Sequence, residues 1–448
     1  MDLFNENNNL FGVQSRSSEF SYHLRYYDVR EGDEVEFNYH PSHYNRDAGT
    51  SYRDYATHIV RVRVKKLPRE RKPLSRIVLE RPLADGKDRI TYATLNAGNP
   101  RRKPDYLSGN DNEQKFVDTI VQHLKNENLT KKDVVKYAQQ FDIQDITLQK
   151  ELYETAIMLY VKSLCLNLNK KDFSTLVEIY QSQISFNTRT SNSIMLQQYS
   201  TPLPLAWLAG KYVAYGQSKT AKYFEPSAGN GLLTVALPEK HTTVNEIDKN
   251  RRNNLERFHH YESIYNKDAS KSFPSLLWIF NGIITNPPFG TTSTQTFQGY
   301  KITQLAHLMS IHALDTMKSS GRAAIIIGGH TEWDEYNRVR NGSNRYFLSY
   351  LHHFYNVEDV ININGKLYGK QGTTFPIRLI LINGRKQTPE GTAPLKTDSD
   401  TTINTFPELW ERVSVLMTNS NNLTEKERIA LAELEMAIAI EEMQLSTK

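Results

Sequence analysis

The chain has 448 residues and a mass of 51.7 kDa, which is enough for two or three domains of ordinary size. Its 55 Lys and Arg and 50 Asp and Glu give a net charge of +5, and its mean hydropathy of −0.58, without an apolar run of 18 residues, argues against a membrane protein. The start MDLFNENNNLFG lacks the basic flank and apolar stretch of a secretory signal. The single cysteine, Cys165, excludes a disulfide framework and a cysteine-based zinc site, so we expect a cytoplasmic protein.

Positive charge is concentrated near the amino terminus. Residues 1–20 are rich in Asn and Ser and are expected to be disordered, and residues 21–110 are expected to form a basic, β-rich region. Arg61–Lys103 contains 14 Lys and Arg and 4 Asp and Glu, so its net charge is 14 − 4 = +10. The rest of the chain then carries 5 − 10 = −5.

One strand in this region has a cationic face. In HIVRVRVKKL, apolar residues alternate with Arg61, Arg63 and Lys65, which is typical of a half-buried strand. The cationic face predicts binding of nucleic-acid phosphates, while a solvated strand surface would explain the same charges equally well. Further strands are predicted in SRIVLERPL and DRITYATL.

Residues 111–185 are expected to be helical. Thr130 is a suitable N-cap for KKDVVKYAQQF, and TLQKELYETAIMLYVKSLCL has apolar residues at three- and four-residue spacing. Cys165 falls inside this run, so we expect its side chain to be packed. This stretch carries no motif with recognisable chemistry.

Residues 186–385 alternate between short apolar strands and helices. The predicted strands are KYF, TTVNEI, LLWIFNGIIT, GRAAIIIGG, EDVINI and PIRLILI, and KITQLAHLMSIHALDTMKSSG is predicted as a helix between two of them. Such alternation favours a mostly parallel sheet with helices on its faces. Residues 386–448 are expected to form a polar linker and C-terminal helices, the last of which has a capping box of Thr424 and Glu427.

A glycine-containing turn follows the first of these strands, in Glu225-Pro-Ser-Ala-Gly229-Asn-Gly231. The two glycines allow a sharp turn and close approach of a ligand, although a Gly-x-Gly alone also fits a simple tight connection. Glu246 ends the next strand, 246 − 225 = 21 residues later, where an acid accepts hydrogen bonds from ribose hydroxyls. The loop begins with an acidic residue, Glu225, which would repel a pyrophosphate. The pattern therefore favours S-adenosylmethionine over NAD.

A second motif, Asn286-Pro287-Pro288-Phe289, follows GIIT at the carboxyl end of a strand, where ligands bind in open α/β sheets. The Asn286 Oδ1 and the Pro287 carbonyl would accept both N–H bonds of a planar amine, and Phe289 would stack on its ring. Accepting both hydrogens localises the nitrogen lone pair for attack on a methyl group. A proline-stiffened loop is the alternative, and the order of the motifs disfavours it.

These motifs, together with QQYSTP at Gln197–Pro202, resemble those of the amino-methylating DNA methyltransferases, in the adenine-N6 branch. The order STP, EPSAGNG, NPPF is similar to the gamma arrangement of type I modification subunits, and the likeness is closest to the methyltransferase domains of large phage and mobile-element proteins. The resemblance covers roughly residues 186–385. It implies a Rossmann-like S-adenosylmethionine-dependent methyltransferase domain that modifies adenine in DNA, in restriction-modification or anti-restriction.

The resemblance also implies roles for single residues. Thr201 and Glu225 would lie beside the methionine part of the cofactor, Glu246 would hold its ribose, and Asp268 in YNKDAS would contact its adenine. Asn286 to Phe289 would form the catalytic motif. No clear target-recognition domain follows residue 385, so either residues 20–185 or a second chain would read the DNA.

Several alternatives stay open. The acceptor could be cytosine N4, an RNA base or a protein glutamine, or the chain could be a catalytically silent DNA-binding module. Methylation at cytosine C5 is excluded because it needs a cysteine nucleophile and Cys165 lies far from the motifs. We expect no metal: the histidine pairs at 259–260 and 352–353 lack partners at ligand spacing and are expected at the surface or at helix ends. Trp207 is expected in the core rather than over a cofactor.

Overall fold

The computed structural model describes residues 22–23, 34–39, 58–66, 68, 76–80, 82–83, 87, 89–91, 101–102, 111–184 and 200–418. The chain forms two compact units, Met1–Asp111 and Asn112–Lys448. The expectations for residues 1–20, for residues 197–199 and for the helix after Thr424 lie outside the described residues. Within the described ranges, no helix is both long enough and apolar enough to cross a membrane.

The first unit contains a six-stranded antiparallel sheet with the order β1-β6-β2-β3-β4-β5. Its strands are β1 (Tyr22–His23), β2 (Glu34–Tyr39), β3 (His58–Lys66), β4 (Arg76–Leu79), β5 (Arg89–Thr91) and β6 (Arg101–Arg102). The predicted strand in HIVRVRVKKL is confirmed. Val62 and Val64 are buried, whereas Arg63 and Lys65 between and beyond them are exposed, as the alternation requires.

Four helices follow, all in the second unit except for the first residue of α1: α1 (Asp111–Asn126), α2 (Lys131–Gln140), α3 (Ile146–Ser163) and α4 (Lys170–Ser182). Thr130 caps α2 in a capping box with Asp133, which confirms the predicted helix start. The packing predicted for Cys165 is wrong. Because α3 ends at Ser163, Cys165 lies beyond it in a left-handed conformation, with φ +49°, and is exposed.

The remaining strands of the second unit are β7 (Tyr223–Glu225), β8 (Thr242–Asn245), β9 (Ser263–Tyr265), β10 (Phe280–Thr285), β11 (Thr291–Phe297), β12 (Tyr300–Gln304), β13 (Met317–Gly328), β14 (Tyr355–Ile363), β15 (Ile377–Arg385) and β16 (Thr402–Ile403). Eight of them form one sheet in the order β16-β14-β15-β13-β10-β7-β8-β9. All its pairings are parallel except those of β15 with β13 and β14. The predicted Rossmann-like α/β fold is confirmed.

Helices cover both faces of this sheet. They are α5 (Leu203–Ala214), α6 (Lys249–Phe258), α7 (Leu305–Leu314), α8 (Ser343–Phe354) and α9 (Phe406–Thr418). Neighbouring strand residues enter different cores: Ile284 packs in the cluster that includes α3, α4, α5 and α9, and Ile283 packs in the cluster of α7 and α8. Trp207 is 2% exposed and lies against Phe173, so it belongs to the core as expected.

The helix predicted over KITQLAHLMSIHALDTMKSSG is too long at both ends. Its first residues belong to β12 and its last residues to β13, so only Leu305–Leu314 is helical. Gln298 and Gly299 have φ +48° and +88° and close the β11–β12 hairpin. The helical periodicity did not reveal this tight turn, which pairs the segment after it, β12, with β11.

Candidate active site

The site lies where the sheet reverses its direction of growth. The chain passes from β7 to β8 and β9 on one side, and then returns to β10 on the other side of β7. In open α/β sheets, ligands bind in the crevice that such a reversal leaves at the carboxyl ends of the strands. A cavity of about 260 Å³ occupies this position. The predicted site residues on its wall are Thr201, Gly229, Glu246, Asp268, Asn286 and Pro288.

The turn after β7 needs its glycines. Gly229 and Gly231 have φ +57° and +90°, a region that side chains other than glycine rarely adopt. A Cβ on Gly231 would also lie 2.5 Å from the Tyr261 hydroxyl and 3.1 Å from Leu255. The turn is fixed to the next strand, because the Ala228 N–H donates to the Asn245 carbonyl over 3.0 Å. Gly229 lies on the cavity wall, whereas Gly231 packs behind it.

Glu225 lies behind the wall of the cavity. It is fully buried, and its Oε1 accepts hydrogen bonds from the Ser227 N–H (2.9 Å) and the Ser227 hydroxyl (3.1 Å). Its Oε2 is buried without a hydrogen-bond partner among the described residues. Burial raises the pKa of Glu225 to about 8. Glu225 therefore acts on the cavity through Ser227, which lines it.

Glu246 connects the ends of two strands. Its Oε2 accepts a hydrogen bond from the Gly229 N–H (2.7 Å), and its Oε1 accepts one from the Asp248 N–H (2.7 Å). Burial raises the pKa of Glu246. Each carboxylate oxygen has a second lone pair, so the group that holds the glycine turn has capacity for ligand hydroxyls as well. The next residue, Ile247, is 58% exposed and lines the same cavity, which the sequence interpretation missed.

Asp268 lies at the end of the cavity that β8 and β9 form. A hydrogen bond from Ser270 lowers its pKa, and the Ser270 N–H donates to Asp268 Oδ1 over 2.9 Å. Lys267 and Ala269 line the cavity beside it. Asp268 is thus an ionised acceptor at this end of the cavity.

Asn286 follows β10 and is held by Thr201. Its Nδ2 donates to the buried Thr201 Oγ1 over 3.0 Å, which orients the amide and leaves Oδ1 as an acceptor. Asn286 lines the large cavity and also a second, narrow cleft. It is the residue at which the two spaces meet.

The second cleft has aromatic walls. Besides Asn286 and Pro287, its lining consists of Phe289, Tyr368, Thr373, Phe375 and Ile377. The rings of Phe289 and Phe375 lie 5.7 Å apart at 40°, and Phe375 is 52% exposed. A Cβ on Gly328 would come within 3.0 Å of the Phe289 ring, so the glycine at the end of β13 makes room for it. The sequence motif indicated Phe289 but not Gly328, at the end of β13, or Phe375, just before β15, which are distant from it in the chain.

Two carboxylates from α3 also reach the site, although the sequence indicated no chemistry in that helix. Glu151 and Glu154 contact Asn230 in the glycine turn. Their only signal in the sequence is a spacing of three residues inside a largely apolar helix, which places two charges on one buried face.

The cationic strand, β3, belongs to the first unit. Arg63 and Lys65 are exposed, and Arg63 Nε lies 3.9 Å from Glu80 Oε2. In the β2–β3 register, Arg61 and Arg63 stand opposite Glu36 and Glu34. The side chain of Arg61 lies outside the described residues. Acidic residues therefore accompany this basic strand.

The first residue of each histidine pair lies at a helix end, as expected. His259 is the C-cap residue of α6; it is buried, and its Nδ1 lies 2.9 Å from Glu239 Oε1. His352 and His353 lie in the last turn of α8, at a helix end as expected. Over residues 111–184 and 200–418 and the shorter described segments, no group of three or more His, Cys, Asp or Glu is placed to hold a metal ion.

No protein-family model and no curated protein matches the chain. Among solved structures, it is similar to the methyltransferase subunit of a type I restriction-modification system from Streptococcus thermophilus, with 12% identity, a TM-score of 0.38, and coverage of 68% of this chain and 86% of that one. It is also similar to a modification subunit of a putative type I restriction enzyme from Vibrio vulnificus, with 14% identity, a TM-score of 0.36, and coverage of 68% of this chain and 69% of that one. A third similar structure is a putative class I S-adenosylmethionine-dependent methyltransferase from Listeria monocytogenes, with 13% identity, a TM-score of 0.35, and coverage of 69% of this chain and 99% of that one. Because the TM-scores are below 0.5, these similarities say nothing about function.

Proposed function

We propose that the protein is an S-adenosylmethionine-dependent methyltransferase that modifies the N6 amino group of adenine in DNA. The observation that carries this proposal is the position of Asn286, which lines both the 260 Å³ cavity and the aromatic cleft. An amine held in the cleft and a methyl donor held in the cavity would therefore meet at this residue.

The residues of the large cavity fit S-adenosylmethionine. Glu246 has lone pairs for ribose hydroxyls, Asp268 is an acceptor for the adenine amino group, and Ile247 offers an exposed apolar side chain for its ring. Glu225 lies behind the wall of the cavity and its Oε2 has no partner among the described residues, so its ionised form would favour the positive charge of the methionine part, and we propose that Thr201, on the wall, lies beside the same part. When bound, the cofactor supplies an electrophilic methyl group on a sulfonium.

The side chains of the cleft have the chemistry to hold a flat amino-bearing base, and since the cleft encloses only about 10 Å³, its aromatic walls would separate to admit one. The Oδ1 of Asn286 and the carbonyl of Pro287 would accept the two amino N–H bonds, and the rings of Phe289 and Phe375 would hold the base by stacking. The bond from Asn286 Nδ2 to Thr201 keeps the amide in the orientation that this requires. The residues thus contribute orientation, which supplies a large part of the rate in such reactions, and the amine proton leaves to solvent.

The base must leave the DNA stack to enter the cleft, which costs a few kcal/mol that stacking and edge hydrogen bonds offset. We propose that the cationic strand of the first unit, with Arg61, Arg63 and Lys65, contacts DNA phosphates. A second chain, or the regions before residue 186, would read the target sequence. A role in restriction-modification or anti-restriction of a phage or mobile element follows from the sequence resemblance.

The proposal is tested by expressing the chain in a bacterial host that lacks DNA methylation. Wild-type protein should leave N6-methyladenine in a defined sequence context, measured by single-molecule sequencing and by mass spectrometry of digested DNA. Asn286→Ala should lower this methylation at least about 100-fold, because it removes an acceptor that acts on the reacting amine. The matched control Asn253→Ala, at an exposed position in α6, should methylate as wild type does.

Unmodified DNA in cells with abundant wild-type protein would contradict a stand-alone DNA methyltransferase. The detection of N4-methylcytosine, methylated RNA or methylated glutamine in its place would identify one of the other acceptors.

A further inference from the structure

Helix α3 lies outside the segment that carries the sequence motifs, yet it supplies buried charge to the site. Glu151 and Glu154 are 7% and 8% exposed. Burying a carboxylate without partners costs free energy, so the groups that contact Glu151 and Glu154 indicate what these two residues stabilise. Those partners come from the glycine turn, from α6 and from the segment before α5, which are 46 to 100 residues away in the chain.

Glu151 holds the glycine turn. Both of its oxygens are engaged by Arg251, through Nε (3.1 Å) and Nη2 (3.1 Å), and Asn230 Nδ2 donates to Oε2. Asn254 Nδ2 in turn donates to Asn230 Oδ1 over 3.2 Å. Asn230 stands between Gly229 and Gly231, and Asn230 and Arg251 both line the cavity. The turn is therefore held by side chains of α3 and α6 in addition to its backbone contact with β8.

Glu154 reaches the catalytic amide through a short chain of contacts. Its Oε2 accepts hydrogen bonds from the Ser200 hydroxyl (2.7 Å) and from Asn230 Nδ2 (3.0 Å). Ser200 is followed directly by Thr201, whose hydroxyl accepts the bond from Asn286 Nδ2. One turn of α3 thus supports both the cofactor turn and the acceptor motif.

The formal charges in this group balance only when Lys150 is counted. Two carboxylates face Arg251, and Lys150 lies at the edge with its Nζ 4.0 Å from Glu154 Oε1. Burial would lower the pKa of Arg251, but the charges of Glu151 and Glu154 outweigh burial and raise it, so the guanidinium is held charged. Removing one carboxylate would leave a buried charge without its full complement of partners.

We propose that Glu151 and Glu154 are positioning residues of the active site: Glu151 fixes the cofactor turn through Asn230 and Arg251, and Glu154 fixes the catalytic amide of Asn286 through Ser200 and Thr201. The inference rests on the proposed function for its link to catalysis, whereas its structural part concerns the turn alone. The two residues should therefore affect different steps.

The experiment compares Glu151→Gln and Glu154→Gln in the full-length chain. Glu151→Gln should speed amide hydrogen exchange over residues 226–234 without cofactor and raise the Kd for S-adenosylmethionine by about 2- to 30-fold. Glu154→Gln should lower kcat by a similar factor with a smaller change in Kd. Ser200→Ala removes the hydrogen bond from Ser200 to Glu154 without disturbing a buried charge, so it should reproduce the kcat effect even where Glu154→Gln folds poorly. Glu178→Gln, at an exposed position in α4, is the matched control.

Exchange over residues 226–234 that stays at the wild-type rate in Glu151→Gln would overturn the proposal. A uniform rise in exchange along the whole chain would overturn it too, because it would show only general destabilisation. The exchange measurement needs no methyl transfer. An inactive wild-type protein would therefore contradict the proposed function, whereas the exchange rates would still decide whether Glu151 fixes the turn.

Discussion

The two sheets of this protein use charge in opposite ways. In the first unit, exposed basic residues such as Lys65 stand on one face of an antiparallel sheet whose other face is apolar. In the second unit, apolar residues cover both faces of the sheet, and charged residues such as Glu225 and Glu246 are buried at the carboxyl ends of its strands. Surface charge is screened by salt over about 10 Å, whereas buried charge is screened far less.

These two arrangements of charge limit what each sheet can do. The exposed strand can attract a polyanion over a broad surface without fixing its position. The buried carboxylates can act only on groups that enter the cavity, and they do so with shifted pKa values and fixed geometry. Variants that disturb one sheet should therefore leave the function of the other intact.

The largest effect is expected from Gly231→Ala, which distorts the cofactor turn. The variant forces an alanine into φ +90° and brings its Cβ within 2.5 Å of the Tyr261 hydroxyl. We expect the free energy of unfolding to fall by about 1–3 kcal/mol, with loss of S-adenosylmethionine binding, measured by denaturant unfolding and by calorimetric titration. DNA binding by the first unit should persist.

Gly216→Ala is the control for this variant. Gly216 has φ +74°, but no atom lies within 4 Å of the Cβ position, so it reports the backbone strain without the clash. Equal losses of stability in both variants, with cofactor binding retained, would show that the packing behind the turn does not shape the cavity.

A smaller effect is expected from pH, through Glu225. With a pKa of about 8 this carboxyl is mostly protonated at pH 7, and a cationic ligand favours its ionised form. Affinity for S-adenosylmethionine should therefore rise as pH increases towards 8, by at most about tenfold per pH unit, with release of a proton on binding. Titration calorimetry in buffers of different ionisation enthalpy measures both.

Glu225→Gln should make the affinity independent of pH over the same range. In the free protein, the raised pKa makes the folded state less stable at higher pH. The folded state retains a proton that the unfolded state loses above the ordinary glutamate pKa of 4.5. The contribution of Glu225 to the free energy of unfolding should thus fall as pH rises from 4.5 to 8. An affinity that is flat with pH in the wild-type protein would show that Glu225 does not face the cofactor charge.

The smallest effect is expected from the cationic strand. Replacing Arg61, Arg63 and Lys65 by alanine should weaken DNA binding and reduce the slope of log affinity against log salt by about one for each phosphate that the protein no longer neutralises. The opposing Glu34, Glu36 and Glu80 reduce the net charge of this surface, which limits the decrease in affinity. Anisotropy titrations over a range of salt concentrations measure the slope.

Glu80→Gln is the converse control and should strengthen DNA binding. An unchanged slope in the triple variant would place the DNA-binding surface elsewhere, and a weaker affinity for the cofactor in that variant would show that the two units are coupled.

Much of the fold follows from local patterns. The strands β7, β8, β10, β13, β14 and β15 all occur where short apolar runs predict them. The β11–β12 hairpin was missed because β11 is largely exposed and rich in Thr, so no apolar alternation marks it, and because β12 is short and continues directly into α7. The end of α3 was missed because the apolar spacing continues past Ser163 towards Cys165, while the backbone there turns left-handed.

The alternation of strands and helices and the placement of the motifs at strand ends could be read from the amino-acid sequence, because periodicity and turn chemistry are local properties of the chain. The folded structure was needed to show that Asn286 borders two cavities, that Glu225 stands behind the wall, and that Glu151 and Glu154 clamp the turn. These relations depend on hydrogen bonds between residues up to 100 positions apart, such as that of Arg251 with Glu151. Pairings of that kind arise when the sheet and helices assemble, and no local pattern encodes them.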